Sequence, residues 1–259
     1  IMITKPQIET LSKKYQVDGF TIMREFLQLS FLSYLYQNRK GGQIYFKGGT
    51  AIRLLYNSPR FSEDLDFSTL HNQKQIKQII QELEETIQKE LPEIKISFLY
   101  SGKTGIRYRV KYQPSDFKYP IIIRLDFTIV KKIEQVTVSP LITEFPITVF
   151  PLVPHLSETE ILAEKIRALA TRNKGRDLFD VWYLLEKGVF LDEKLVKIKF
   201  LENHAKFNKK DLIKKIESYP QDRLDLDLAQ FLPKSQRQIM GMLINLLKQK
   251  LIAGFGKNT

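Results

Sequence analysis

At 259 residues, 43% hydrophobic and 27% charged, the chain has the size and balance of a globular protein with one large or two modest domains. It carries no cysteine, which excludes disulfides, thiolate metal sites and cysteine nucleophiles. Its formal net charge of +12 predicts attraction to polyanions, RNA or DNA first. No apolar run reaches the roughly 18 to 20 residues of a membrane span. The nearest, residues 26–36, is broken by Gln28, Ser30 and Ser33. No targeting segment is read at the N-terminus, and the expected setting is the cytoplasm.

In chain order, residues 5–37 are expected to be helical. Asp18 can cap a helix whose apolar positions Phe20, Ile22, Met23, Phe26, Leu27, Phe31, Leu32 and Leu35 recur at three- and four-residue steps. The run Asn38-Arg39-Lys40-Gly41-Gly42 predicts a turn. Residues 43–47 form a short buried strand, 50–56 a helical turn ended by Asn57-Ser58-Pro59, and 65–68 a second strand. Residues 72–90 form an amphipathic helix with Ile76, Ile79, Ile80, Leu83 and Ile87 on one face. A hairpin follows, its strands 94–100 and 106–112 joined by Ser101-Gly102-Lys103-Thr104-Gly105. Residues 119–130, with Ile121-Ile122-Ile123, predict a central strand buried on both faces, in which Asp126 is costly unless paired. Pro140, Pro146, Pro151 and Pro154 punctuate the next segment, so a domain boundary is placed near residue 150. Beyond it the pattern is helical, starting from a capping box of Ser157 and Glu160 and including helices near 209–218 and 235–252.

The chemistry gathers around residues 46–67. A strand enters Gly48-Gly49-Thr50, where glycines before a helix let backbone N–H groups approach phosphate and Thr50 adds a hydroxyl. Asp64 and Asp66 then point to one face of a strand, since side chains two apart in a strand share a face. With Asp126 they would make a three-carboxylate cluster able to bind Mg²⁺ (or Mn²⁺) and lower the pKa of an attacking hydroxyl. Solvated acids at a strand edge are the plainer alternative for Asp-x-Asp by itself. Arg60 is either a phosphate contact or an ion-pair partner of Glu63. His71, His155 and His204 are scattered without ligand spacing. The sequence Leu224-Asp225-Leu226-Asp227-Leu228 also alternates, but no glycine turn precedes it and it is expected to be a surface connector.

Phe46-Lys47-Gly48-Gly49-Thr50-Ala51 and Arg60-Phe61-Ser62-Glu63-Asp64-Leu65-Asp66-Phe67 together resemble the nucleotidyltransferase toxins of the AbiEii/AbiGii family, found in type IV toxin–antitoxin and abortive-infection systems. These belong to the DNA polymerase β-like superfamily, whose pattern is Gly-Gly or Gly-Ser, a spacer, then Asp-x-Asp/Glu. Here fourteen residues (50–63) form the spacer between Gly49 and Asp64, slightly long for the minimal pattern. Lys165-Ile166-Arg167-Ala168-Leu169, Arg172 and Arg176-Asp177-Leu178-Phe179-Asp180 resemble the family's later lysine and Arg-Asp-x-x-Asp motifs.

The resemblance implies an α+β fold. A nucleotidyltransferase domain with a mixed sheet flanked by helices (1–150) would precede a mainly helical domain (151–259). It implies transfer of NMP from an NTP to an acceptor hydroxyl, most attractively the 3′ end of tRNA, blocking translation. Asp64 and Asp66 would ligate metal, and Asp126 would be base or third ligand. Gly48, Gly49 and Thr50 would hold the triphosphate. Lys165 would contact phosphate, with Arg172 extending a cationic strip, while Asp177 or Asp180 would help form the far wall of the site. Read from the residues alone, Lys165 snorkels to solvent and Asp177 caps a helix beginning at Leu178. A cognate AbiEi-like antitoxin is implied as partner. The alternatives are a non-catalytic nucleotide- or RNA-binding partner of the same fold, or nucleotidylation of a protein or small molecule.

Overall fold

The computed structural model describes residues 2–114 and 117–256 and divides the chain into two compact units, Ile1–Leu156 and Ser157–Thr259. The first unit opens with α1 (Lys5–Tyr15) and α2 (Gly19–Gln37). The expected helical stretch is interrupted because Gln16 ends α1 in the left-handed region at φ 54°. Asp18 then restarts it, its side chain accepting the backbone N–H of Thr21 at 2.8 Å. Next come β1 (Ile44–Lys47), α3 (Gly48–Leu55), β2 (Leu65–Thr69) and α4 (Gln73–Ile87), the last capped by Asn72. The hairpin is β3 (Lys95–Gly102) and β4 (Gly105–Tyr112), followed by β5 (Ile121–Ile129), β6 (Val136–Pro140) and β7 (Leu152–Leu156).

Among the described residues these strands make one seven-stranded sheet in the order β3-β4-β5-β2-β1-β7-β6. It is mixed, with β2/β5 and β1/β7 parallel and the other pairs antiparallel. One face is apolar. Phe46, Phe67 and Phe127 occupy matched positions on β1, β2 and β5, with ring centroids 5.7 and 4.9 Å apart. Ile106, Tyr108, Val110 and Tyr112 continue that face on β4, α2 packs on β5, and α4 packs on β3.

The expectation that β5 is buried on both faces is overturned. Ile121, Ile123, Leu125 and Phe127 are buried, but Ile122 is 41% exposed and Arg124 is exposed. The triple isoleucine mimics a doubly buried strand, whereas the alternation that begins at Arg124 is the better guide to a one-sided sheet. Strands β6 and β7 escape the sequence reading because Pro140 and Pro154 lie within them and proline lowers any strand signal.

The second unit is helical: α5 (Glu158–Thr171), α6 (Gly175–Glu186), α7 (Glu193–Leu201), α8 (Lys209–Glu217), α9 (Gln221–Ala229) and α10 (Leu243–Gly256). Helix α6 packs against α5, α9 and α10. Ser157 accepts the Glu160 N–H as expected, but the Glu160 carboxylate turns inward to Lys199 at 2.7 Å. The expected helix at 235–252 starts as a 3₁₀ segment, Lys234–Gly241, before α10. Residues 224–228 are no surface connector but lie in α9. Leu224 and Leu228, one turn apart, are fully buried, so the spacing that matters is four rather than two. Asp227 accepts from the Gly175 N–H at 2.8 Å and from the Tyr219 hydroxyl at 3.0 Å, tying α9 to the start of α6.

Candidate active site

The second face of the sheet carries the acids. Asp66 on β2 is the register partner of Asp126 on β5, as Leu65 is of Leu125. Neighbouring strands lie about 4.8 Å apart, so the two carboxylates stand side by side. The row continues at both ends: Lys47 on β1 pairs with Asp66, and Arg107 on β4 pairs with Asp126. Arg107 donates from Nε at 2.8 Å and approaches the same Asp126 oxygen with Nη2 at 2.6 Å. Two acids thus sit between two cations in a single ladder row. That answers the cost of Asp126 with a direct ion pair.

The glycine turn is fitted to this row. Gly48 has φ +81°, and a Cβ there would lie 2.9 Å from both Cβ and Cγ of Asp66 and overlap its carboxylate. A Cβ on Gly49 would meet Ser62 Oγ at 3.0 Å and run into the Arg60 guanidinium. Gly48 opens α3, so the start of that helix lies beside the Asp66 side chain. Gly48→Ala is therefore expected to cost about 1–3 kcal/mol through left-handed strain and collision together. Thermal melting checks the stability loss. A transfer assay on the folded fraction checks that displacing Asp66 also lowers activity.

Thr50 is fully buried and its hydroxyl donates to the backbone carbonyl of Asp64. It ties α3 to the entry of β2. Arg60 is only 2% exposed, and its guanidinium donates to the Phe61 carbonyl at 2.8 Å. Glu63 is paired with Arg24 at 3.4 Å.

Asp64 lies just before β2, level with Arg124 of β5, and the two form a bidentate pair with N–O distances of 3.0 and 2.6 Å. Those hydrogen bonds, followed by the charge of Asp64, raise the Arg124 pKa above its ordinary value. Hard carboxylate oxygens are the donors Mg²⁺ or Mn²⁺ takes, and Gly48 leaves room beside Asp66. The donor chemistry fits such an ion. The expected three-way convergence takes a different form. Asp66 and Asp126 share a row, while Asp64 is turned onto Arg124, and among the described residues no three potential ligands stand at metal-holding distance. Guanidinium groups pair with Asp64 and Asp126.

Sequence reasoning missed Lys47, Arg107 and Arg124. A signal for two of them was present. Arg124 is two residues from Asp126 and so shares its face, and Arg107 opens an alternating basic strand.

In the second unit, the later motif residues form a buried ionic cluster. Lys165, 9% exposed, reaches Asp180 at 2.7 Å and Asp177 at 3.3 Å. Arg172 grips Asp177 with Nε at 2.6 Å and Nη2 at 2.8 Å. Burial works to raise the Asp177 pKa, but Lys165 and Arg172 together hold it down to about 2. The snorkelling alternative for Lys165 is replaced by an inward ion pair. Asp177 is not the cap either. Helix α6 begins at Gly175 with Lys174 at the cap position, and the Asp177 carboxylate is held by the two cations.

The profile of the family described as nucleotidyl transferase AbiEii toxin, type IV TA system, matches residues 30–248. No curated protein sequence matches the chain. Among solved structures, the fold is similar to MenT4, a nucleotidyltransferase toxin from Mycobacterium tuberculosis. The TM-score is 0.67 at 17% identity, covering 96% of this chain and 89% of that one. It is also similar to JHP933 from Helicobacter pylori, with TM-score 0.52 at 21% identity over 93% of this chain and 97% of that one. At these identities the likeness is one of fold. The family match spans both the glycine–acid row of the first unit and the Lys165–Asp177–Asp180 cluster of the second. The chain belongs to the AbiEii family of nucleotidyl transferase toxins of type IV toxin–antitoxin systems.

Proposed function

We propose that this nucleotidyltransferase toxin moves a nucleoside monophosphate from an NTP to the 3′ end of tRNA in the cytoplasm, and so blocks translation. The observation that carries the reading is the row in which Asp66 and Asp126 stand side by side against Gly48 at the start of α3. The acceptor hydroxyl oxygen attacks the α-phosphorus as the bond to the β-phosphate breaks, pyrophosphate leaves, and the hydroxyl proton passes to a carboxylate oxygen of Asp126. The Arg107 contact orients that carboxylate beside Asp66. The N–H groups of Gly48 and Gly49 bind the triphosphate at a helix start, where anions are favoured. Thr50 and Arg60 hold this turn in place from beneath.

Asp64, Asp66 and Asp126 would hold Mg²⁺ or Mn²⁺ as a pair of ions. When bound, these supply neutralisation of the triphosphate and a lowered pKa for the attacking hydroxyl. Arg124 and Arg107 would then be available for phosphate oxygens, which guanidinium also pairs bidentately. Lys165, Arg172, Asp177 and Asp180 enter the proposal as the later motifs of the family. Arg172, whose side chain is 56% exposed, is held by the buried Asp177 carboxylate. The family implies an antitoxin partner. Among the described residues no helix is long and apolar enough to cross a membrane.

The test is incubation with tRNA, Mg²⁺ and each labelled NTP in turn. Label on the tRNA 3′ terminus is expected with at least one NTP. Label on protein or small molecule alone would move the acceptor to that class, and no label on any acceptor would leave a non-catalytic binding partner of the same fold.

A further inference from the structure

The sheet face that bears the acids does not stop at them. Beyond Asp126 it crosses β5, β4 and β3 in three matched rows. The first is Asp126, Arg107 and Tyr100, the second Arg124, Arg109 and Ser97, and the third Ile122, Lys111 and Lys95. Five of these nine side chains are cationic, and Asp126 is the only acid among them. Arg109, Lys111, Lys95, Ser97 and Tyr100 are exposed. Arg107 and Arg124 are already paired with Asp126 and Asp64, whereas among the described residues Arg109, Lys111 and Lys95 make no ion pair. The basic stripe therefore begins at the acid row and runs outward from it. The opposite sides of the same strands, Ile106, Tyr108, Val110, Ile121 and Ile123, are buried core.

At the inner end of the stripe stands an aromatic ring. Tyr100 is 59% exposed, and a register shift between Phe98 and Tyr100 turns it onto this face, opposite Arg107. It leans over Gly102, where a Cβ would come within 3.0 Å of the Tyr100 Cζ, so the missing side chain makes room for the ring. An exposed aromatic beside a line of cations suits a polyanion whose bases are free to stack.

We propose that the exposed face of β3, β4 and β5 is the binding track for the single-stranded end of an acceptor RNA. Arg109, Lys111 and Lys95 hold its phosphates, Tyr100 stacks a base, and the strand's terminus is delivered to Asp66 and Asp126. This rests on the reading above that the acceptor is RNA.

The experiment measures binding of a short single-stranded RNA to the full chain by fluorescence anisotropy at a series of salt concentrations, without NTP. For R109Q/K111Q the Kd is expected to rise at least ~10-fold, and the log Kd against log salt slope to fall by about 1.4, since each single-strand phosphate contact contributes about 0.7. The charge-keeping pair R109K/K111R is expected to restore both. Thermal melting of each variant separates lost contacts from lost fold. Tyr100→Ala is expected to weaken single-stranded RNA about 10-fold with the salt slope unchanged, and to leave double-stranded RNA binding as it was. In the transfer assay R109Q/K111Q is expected to raise the KM for RNA far more than it changes kcat. If a folded R109Q/K111Q binds RNA with wild-type Kd and slope, the track is overturned. If wild type labels RNA and that variant does so with unchanged KM, the track is overturned while the transferase reading stands. If wild type binds RNA with the expected slopes yet labels none, the track stands and the transferase reading fails. Equal loss on single- and double-stranded RNA with Tyr100→Ala harmless would overturn the single-strand assignment.

Discussion

Asp66→Asn is expected to lower nucleotidyl transfer by at least ~10³-fold, about 4 kcal/mol of transition-state stabilisation, with little change in melting temperature. The substitution keeps the size and strand geometry of the residue and removes only its charge. Asp66 is the member of the acid set that touches both halves of the proposed chemistry. It is the register partner of Asp126, and its carboxylate lies against the Gly48 Cα where α3 begins. Neutralising it leaves Asp126 with Arg107 and Asp64 with Arg124, so neither ion pair explains a loss. The measurement is transfer of label from NTP to tRNA with Mg²⁺ in excess, alongside a melting curve. Asn at 66 with near-wild-type transfer would remove the acid row from the mechanism altogether.

The largest stability effect is expected in the second unit. Lys165→Ala should destabilise the chain by about 3–5 kcal/mol, because it leaves buried carboxylates without their nearest ammonium. Asp180 is fully buried with Lys165 at 2.7 Å, and Asp177 is 1% exposed. Replacing the pair together, K165M/D180L, should recover most of that loss, since an apolar pair of similar volume needs no compensation. Denaturant unfolding of the three chains measures this. It also separates two roles for the cluster. If K165M/D180L is stable but inactive, the pair serves catalysis, and if it is stable and active, the pair serves folding only.

The same cluster sets an acid limit. The Asp177 carboxylate titrates at about 2 in the folded protein against an ordinary value of 3.8, a depressed pKa. The unfolded chain therefore takes up the proton first as pH falls. The stabilisation, about 2 kcal/mol, is complete above roughly pH 5 and disappears as pH falls through about 2. Arg172→Gln, which removes two of the bonds to Asp177, should shift that loss to higher pH, as read from unfolding midpoints between pH 2 and 6.

Much of this protein is written locally. The glycine pair after an apolar strand, the acids at 64 and 66, and Asp126 in a largely apolar strand are legible because each depends on neighbours within a few residues. So are the cap at Asp18 and the hairpin turn at residues 101–105, since a turn or a cap is decided by its own backbone chemistry. The blocks at 46–67 and 165–180 carry the family resemblance for the same reason, and the family match over residues 30–248 spans both.

What the sequence could not settle is which strands lie side by side, because that is fixed by register between segments far apart in the chain. Only the parallel pairing of β2 with β5 brings Asp66 beside Asp126, and only the pairing of β4 with β5 gives Asp126 its arginine. The bidentate capture of Asp64 by Arg124 joins residues 60 apart. Burial of one sheet face against α2 and α4 turned β5 from a doubly covered strand into a half-exposed one, and with it turned Arg107, Arg109 and Arg124 outward onto the acid-bearing side. The chain's +12 charge was countable from its letters. That part of it forms a stripe beside two carboxylates follows from the pleat, which sends alternate residues of every strand to the same face.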